Sequence, residues 1–273
     1  HRDLHSFPTR RSSDLKTLGG FSVYVKGKEV PNSLLTSQKR VMDLLKLLIV
    51  YRKNGVMKEK IYELFWPRYS YKSARDNLNT IIYRLRKILG EGEDYFITDT
   101  NSIRFKEGVY ITDVDTFNEY SQRAREEENQ NNTPGALEFY KLAAHVYKGD
   151  FLDTDLYYDF IRDERESLRN NYRLVLFKLT KMYLLTEDYL KATEWGNKVI
   201  QIDPLCEPAY RLVMISCALM GNRSEIPRIF ERLNQKLRES YNVAADQKTA
   251  ALKDRLLSGE KPNSSLAQNE TIF

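Results

Sequence analysis

KEKIYELFWPRYSYKSARDNLNTIIYRLRKIL, residues 58–89, is the stretch on which the fold turns. Pro67 has no N–H to donate and disfavours helical backbone at Trp66, so the stretch reads as a short helix, a break, and a long helix over 70–89. In the long helix Ala74, Leu78, Ile81, Ile82, Leu85 and Leu89 recur at helical spacing and form one apolar stripe, with Ile88 at its edge. The opposite face carries Lys72, Ser73, Asp76, Thr80, Tyr83, Arg84 and Lys87, flanked by Asn79 and Arg86 on one side and Asn77 on the other. Such a helix suits a DNA major groove, where amides and hydroxyls meet base edges and cationic groups meet phosphates. A polar, basic face is equally what a solvated surface helix carries, so the neighbouring segments have to decide.

Working outward, residues 36–52 predict an amphipathic helix through Val41, Leu44, Leu45, Leu48 and Ile49, and residues 57–65 predict a second. Beyond the long helix, 95–98 and 102–105 are short β-rich runs either side of Asp99-Thr100-Asn101, which has turn composition. Three helices followed by a hairpin is the element order of a winged helix.

Four groups of residues carry a family resemblance: Leu18-Gly19-Gly20-Phe21 opening a strand pair, Glu63-Leu64-Phe65-Trp66-Pro67, Ala74-Arg75-Asp76-Asn77-Leu78, and Tyr83-Arg84-Leu85-Arg86-Lys87. Together they resemble the OmpR-type winged helix of the Streptomyces antibiotic regulatory protein family. The remainder resembles that family's bacterial transcriptional activator domain, so the likeness covers residues 16–258. It implies an N-terminal α+β winged helix-turn-helix over 16–111, an all-α tetratricopeptide-like repeat domain over 112–258, and a disordered tail over 259–273. The implied partners are double-stranded promoter DNA and RNA polymerase, with homodimers on tandem direct repeats, activation of transcription in a bacterial cytoplasm, and no cofactor.

On the long helix, Asp76, Asn79, Thr80 and Tyr83 are expected to reach base edges, and Lys72, Arg84, Arg86 and Lys87 to meet phosphates. In the wing, Asn101, Ser102 and Arg104 are expected at the adjacent minor groove or backbone. The resemblance assigns Trp66, Pro67, Arg68, Tyr69 and Ser70 to a loop that contacts polymerase. Many relatives carry Arg where this chain has Tyr71-Lys72, and Tyr83 is bulkier than the small residue common there, so base preference does not transfer.

Charge divides the chain in the same place. Residues 16–111 hold 18 Lys and Arg against 10 Asp and Glu, whereas 112–273 hold 22 against 26. A polyanion is the natural partner of the first half and is repelled by the second. A membrane surface would satisfy the same electrostatics, but no lipid-inserting apolar helix accompanies the basic face.

Residues 1–15 resemble translated sequencing adapter and are set aside from the fold; as a native basic arm they would instead suit a minor groove. Hydrophobic residues at 41% and charged residues at 30% are globular values. The most apolar run, 44–50, is far short of the ~18 residues a membrane helix needs. Cys206 and Cys217 have no His or carboxylate at ligand spacing, so they read as buried thiols rather than a metal site.

From 112 onward the pattern is one of helix pairs. A capped helix with Asp115 or Thr116 as N-cap runs into a polar loop over 126–135, and further helices are expected over 135–147, 156–185, 188–202, 207–220, 223–241 and 245–257. The turns before Tyr189 and Ser224 lie 35 residues apart, near the ~34-residue tetratricopeptide period. Gly196 and Pro227 interrupt the pattern. A concave face of such an array binds proteins, and Arg162, Glu166, Arg169, Asn170 and Arg173 share one helix face.

Catalysis is disfavoured by inventory. Outside 1–15, His145 is the sole histidine, and neither a phosphate-binding glycine motif nor a nucleophile elbow is present. Two alternatives remain open: an adaptor whose winged helix docks proteins, and the output part of a phosphorelay response regulator.

Overall fold

Among the described residues the first strand begins at Ser13. In the computed structural model, which describes residues 13–90, 95–155 and 158–259, β1 (Ser13–Lys16) lies between β2 (Ser22–Val25) and a late strand. Ser13 and Leu15 point inward while Asp14 and Lys16 point out, and Leu15 faces Val23 across the antiparallel pair. The expectation that 1–15 stands outside the fold is thus corrected for 13–15, because their alternation supplies the core face a strand needs. Residues 1–12, and all but Gly259 of the tail expected over 259–273, lie outside the described residues.

After the short β3 (Lys28–Glu29), the helix expected over 36–52 is two helices, α1 (Asn32–Ser37) and α2 (Lys39–Val50). The break is at Gln38, with φ −114° and ψ 49°. Just before it, the Thr36 and Ser37 hydroxyls donate to carbonyls three and four residues back, a local bonding that loosens helices. Then come β4 (Val56–Met57), α3 (Lys58–Phe65), α4 (Tyr71–Leu89), β5 (Phe96–Thr98) and β6 (Ser102–Phe105). The wing is therefore three-stranded, in the order β4-β6-β5, one strand more than the sequence pattern indicates. Two residues are too short for periodicity to register.

β7 (Tyr110–Thr112) closes the first sheet, in the order β3-β2-β1-β7, by pairing parallel to β1. It leads into α5 (Asp113–Asn129). The cap is Thr112, whose Oγ1 accepts from the Asp115 N–H at 2.9 Å, and neither Asp115 nor Thr116. The Asp113 carboxylate in turn accepts from the Thr17 and Leu18 amides at 2.7 and 2.8 Å and from the Thr17 hydroxyl at 2.7 Å.

The polar loop expected over 126–135 is confined to 130–132, because α5 reaches Asn129 and α6 spans Thr133–Val146. Glu128 explains this: it accepts from the Tyr140 hydroxyl at 2.9 Å and from Lys178 at 2.6 Å, so tertiary partners hold a helical turn that composition assigns to a loop.

The chain forms two compact units, His1–Thr116 with Val146–Leu168, and Phe117–His145 with Arg169–Phe273. They do not coincide with a division at 111. In the first unit, Phe151 bridges to Leu18, and the Leu152 amide donates to the Thr17 carbonyl at 2.8 Å. Gly19 makes this possible, since at φ +81° a Cβ would stand 2.8 Å from the Lys148 carbonyl carbon. Arg165 fastens the segment through the carbonyls of Phe151, Leu152 and Asp155 at 2.7, 2.5 and 3.1 Å.

The second unit contains the rest of α7 (Asp159–Leu185), α8 (Tyr189–Ile202), α9 (Glu207–Leu219), α10 (Ile226–Tyr241) and α11 (Gln247–Leu257). Leu156, where α7 was expected to start, lies outside the described residues. The two interruptions of the repeat pattern have structural causes. At Gly196 a Cβ would meet Val213 at 2.5 Å and Thr180 at 3.3 Å, so glycine permits the close packing of α8 on α9. Pro227 sits in the first turn of α10, where its missing N–H costs nothing. Cys206 and Cys217 are buried free thiols, and burial pushes the Cys206 thiol up to about 11. Of the residues expected on a concave face, Arg162 is exposed beside Asp159 and Asp163, and Arg173 pairs with Asp203.

Candidate nucleic-acid interface

α4 is built to keep one side in the core. Ser70 starts it, its Oγ accepting from the Ser73 amide at 3.2 Å, and Gly90 at φ +102° ends it. Ala74, Leu78, Ile81, Ile82, Leu85 and Leu89 are all buried, in the core shared with α2 and α3. The larger of these contribute about 1.5–3 kcal/mol each by burial, which holds the helix without help from its other side.

That other side is solvent-facing throughout. Lys72, Asp76, Asn79, Thr80, Tyr83, Arg84, Arg86 and Lys87 are exposed, along a helix of 19 residues. At a rise of ~1.5 Å per residue the helix is roughly 28 Å long, enough to cross a groove. The Thr80 hydroxyl donates to the Asp76 carbonyl at 3.0 Å, which leaves it only as an acceptor for an incoming base amino group. Asp76 stands 3.8 Å from Arg75, a loose exposed pair. Lys87 lies over the Tyr83 ring at 4.9 Å, with Tyr83 still 59% exposed, so ring and ammonium form one amphipathic projection.

In the wing, Asn101 and Arg104 are exposed, and Ser102 is half-buried with its hydroxyl turned to Asp99 at 3.3 Å. In the loop between α3 and α4, Trp66 is half-buried with its ring edge-on to Phe65 at 5.7 Å, while Pro67, Arg68 and Tyr69 are exposed. Ser70 is exposed as well, but its hydroxyl is engaged in capping α4.

Not every cation of this unit faces outward. Arg52 is buried, and its guanidinium donates to Asp115 at 2.8 Å, to Glu164 at 3.2 Å and to the Ile49 carbonyl at 3.0 Å. Burial opposes its charge, but Asp115 and Glu164 more than offset this and raise its pKa. Lys46 pairs with Asp155 at 2.7 Å, largely shielded from water. Lys58, which sequence reasoning passed over, donates from its ammonium to the carbonyls of Asp99 and Thr100 at 2.5 and 3.1 Å. Its partners lie about forty residues on, beyond any local signal. Among the described residues no cluster of His, Cys, Asp and Glu is arranged to hold a metal, and no helix is long and apolar enough to cross a membrane.

Residues 112–257 match the family model of the bacterial transcriptional activator domain. Comparison with curated proteins gave no match. Among solved structures the chain is similar to Mycobacterium tuberculosis EmbR, determined in complex with a low-affinity phosphopeptide. That likeness has a TM-score of 0.79 at 16% identity, and covers 96% of this chain and 69% of the other. At that identity it is a likeness of fold: a winged helix followed by a helical domain.

Proposed function

We propose a mode of action from this premise: the chain belongs to the bacterial transcriptional activator domain family, as a transcriptional regulator of the Streptomyces antibiotic regulatory protein type. It binds promoter DNA sequence-specifically with α4 in the major groove. Asp76, Asn79, Thr80 and Tyr83 read base edges, and Lys72, Arg84, Arg86 and Lys87 hold phosphates. Asn101, Ser102 and Arg104 follow the wing to the neighbouring backbone or minor groove. The observation that carries this reading is the division of α4, whose six stripe residues are buried while its polar and cationic face from Lys72 to Lys87 is exposed, with Asn77 half-buried on the flank.

The loop of Trp66, Pro67, Arg68, Tyr69 and Ser70 supplies the surface that meets RNA polymerase, supported by the outward setting of its central residues. Two copies bind tandem repeats and activate transcription at the nucleoid, in the cytoplasm.

Selection of bound fragments from random DNA duplexes by the full chain tests the reading. A recovered motif, repeated at a fixed spacing, and an affinity that falls steeply with salt are expected. Retention that is absent or insensitive to salt would overturn it and leave the winged helix as a protein-docking module.

A further inference from the structure

We propose that Lys58 is a positioning residue for the wing, clamping the β5–β6 turn to the first turn of α3 so that wing and recognition helix form one rigid reading surface. Its consequence for binding rests on the DNA-binding reading above, whereas its geometry does not. The Lys58 amide donates to the Asn101 carbonyl at 2.8 Å, and its ammonium donates to the Asp99 and Thr100 carbonyls at 2.5 and 3.1 Å. Three successive carbonyls of the turn are thereby gathered by one residue at the start of α3.

The surroundings reinforce the clamp. Immediately before Lys58, β4 pairs with β6, Val56 opposite Ile103 and Met57 opposite Ser102. Gly55, at φ +73°, allows the approach, since a Cβ there would lie 2.9 Å from the Arg104 Cβ and 3.1 Å from the Ile103 carbonyl oxygen. Within the turn, the Asp99 amide donates to the Ser102 carbonyl at 3.0 Å. With its carbonyls drawn toward α3, the turn leaves Asn101 and Arg104 exposed on the outside.

A hairpin turn at the end of a small sheet ordinarily lies at the low-stability end of a fold. Without the clamp the wing would visit other positions, and affinity would fall by the fraction of time it is out of place. Two of the three ammonium protons are committed to carbonyls, so the effect differs from loss of a phosphate contact.

The test is Lys58→Met, which keeps the aliphatic stem, with Lys58→Arg as the conservative control, both in the full chain. In the free protein, amide exchange over residues 98–105 is expected to accelerate in the Met variant. Binding to a mixed-sequence DNA duplex is expected to weaken about tenfold with the slope of log K against log salt unchanged, and Lys58→Arg is expected to restore most of it. Unchanged exchange overturns the proposal, as does undiminished binding by a loosened wing. A slope reduced by about one unit also overturns it, since that assigns Lys58 to a phosphate. If the unmodified chain binds no duplex, the DNA-binding reading fails, and the exchange measurement alone decides the clamp.

Discussion

Arg52 and Arg84 belong to the same compact unit and carry the same charge in opposite settings. Arg52 lies in the turn that follows α2, is sealed from water and is held by Asp115 and Glu164. Arg84 stands on the far side of α4 from the core, in solvent. Counted along the chain, both add to the basic excess of residues 16–111. Only Arg84 has its field available to a partner, and Lys46, paired with Asp155, sides with Arg52. Net charge therefore overstates the cationic surface, and the difference lies in where the acidic partners come from. Asp155 and Glu164 belong to the segment Val146–Leu168, which is far along the sequence yet packed into this unit.

The comparison breaks most readily at Arg52. Arg52→Ala leaves two carboxylates facing a void and should lower unfolding stability by about 3 kcal/mol, the bottom of the range for a broken buried pair because both carboxylates keep some solvent. Denaturant unfolding measures it, and a loss below about 0.5 kcal/mol would place Arg52 with the surface cations. Next in size, Asn79→Ala should cost ~1–3 kcal/mol of binding at one base position and leave other positions unaffected, as read from competition with single-base-substituted duplexes. The smallest effect on the fold is at Arg84: Arg84→Ala should change stability by under about 0.5 kcal/mol. The same variant should reduce the salt slope of DNA binding by about one unit, and an unchanged slope would remove Arg84 from the phosphate contacts.

The region most legible in the sequence was the one with the strongest local period. Every residue of the α4 stripe is buried, because in an amphipathic helix the turn spacing alone decides which side chains share a face. The helices of the second unit were legible for the same reason, whereas the caps that Asp188 and Asp246 supply to α8 and α11 appeared only in the structure. Gly196 and Pro227 looked like faults in that pattern and were features of it, one a helix crossing and the other a first-turn proline.

What escaped was whatever depended on a distant partner. β1 at Ser13 is a strand because β2 and β7 flank it, and β4 is one because β6 does. Glu126–Asn129 composition reads as loop, yet Tyr140 and Lys178 keep Glu128 in a helix. Of the candidate interface, spacing alone sets the polar face of α4, whereas the commitment of the Thr80 hydroxyl to its own helix and of Ser70 to a cap is a property of the folded chain.

The sequence by itself determined most of the helices and their apolar faces, since these rest on residues within a few turns of one another, and the short motifs that carry the family likeness. Tertiary structure alone decided which cations face water, where the compact units divide, and that Lys58 reaches the wing. Those outcomes are set by contacts between residues tens of positions apart, and no local period encodes them.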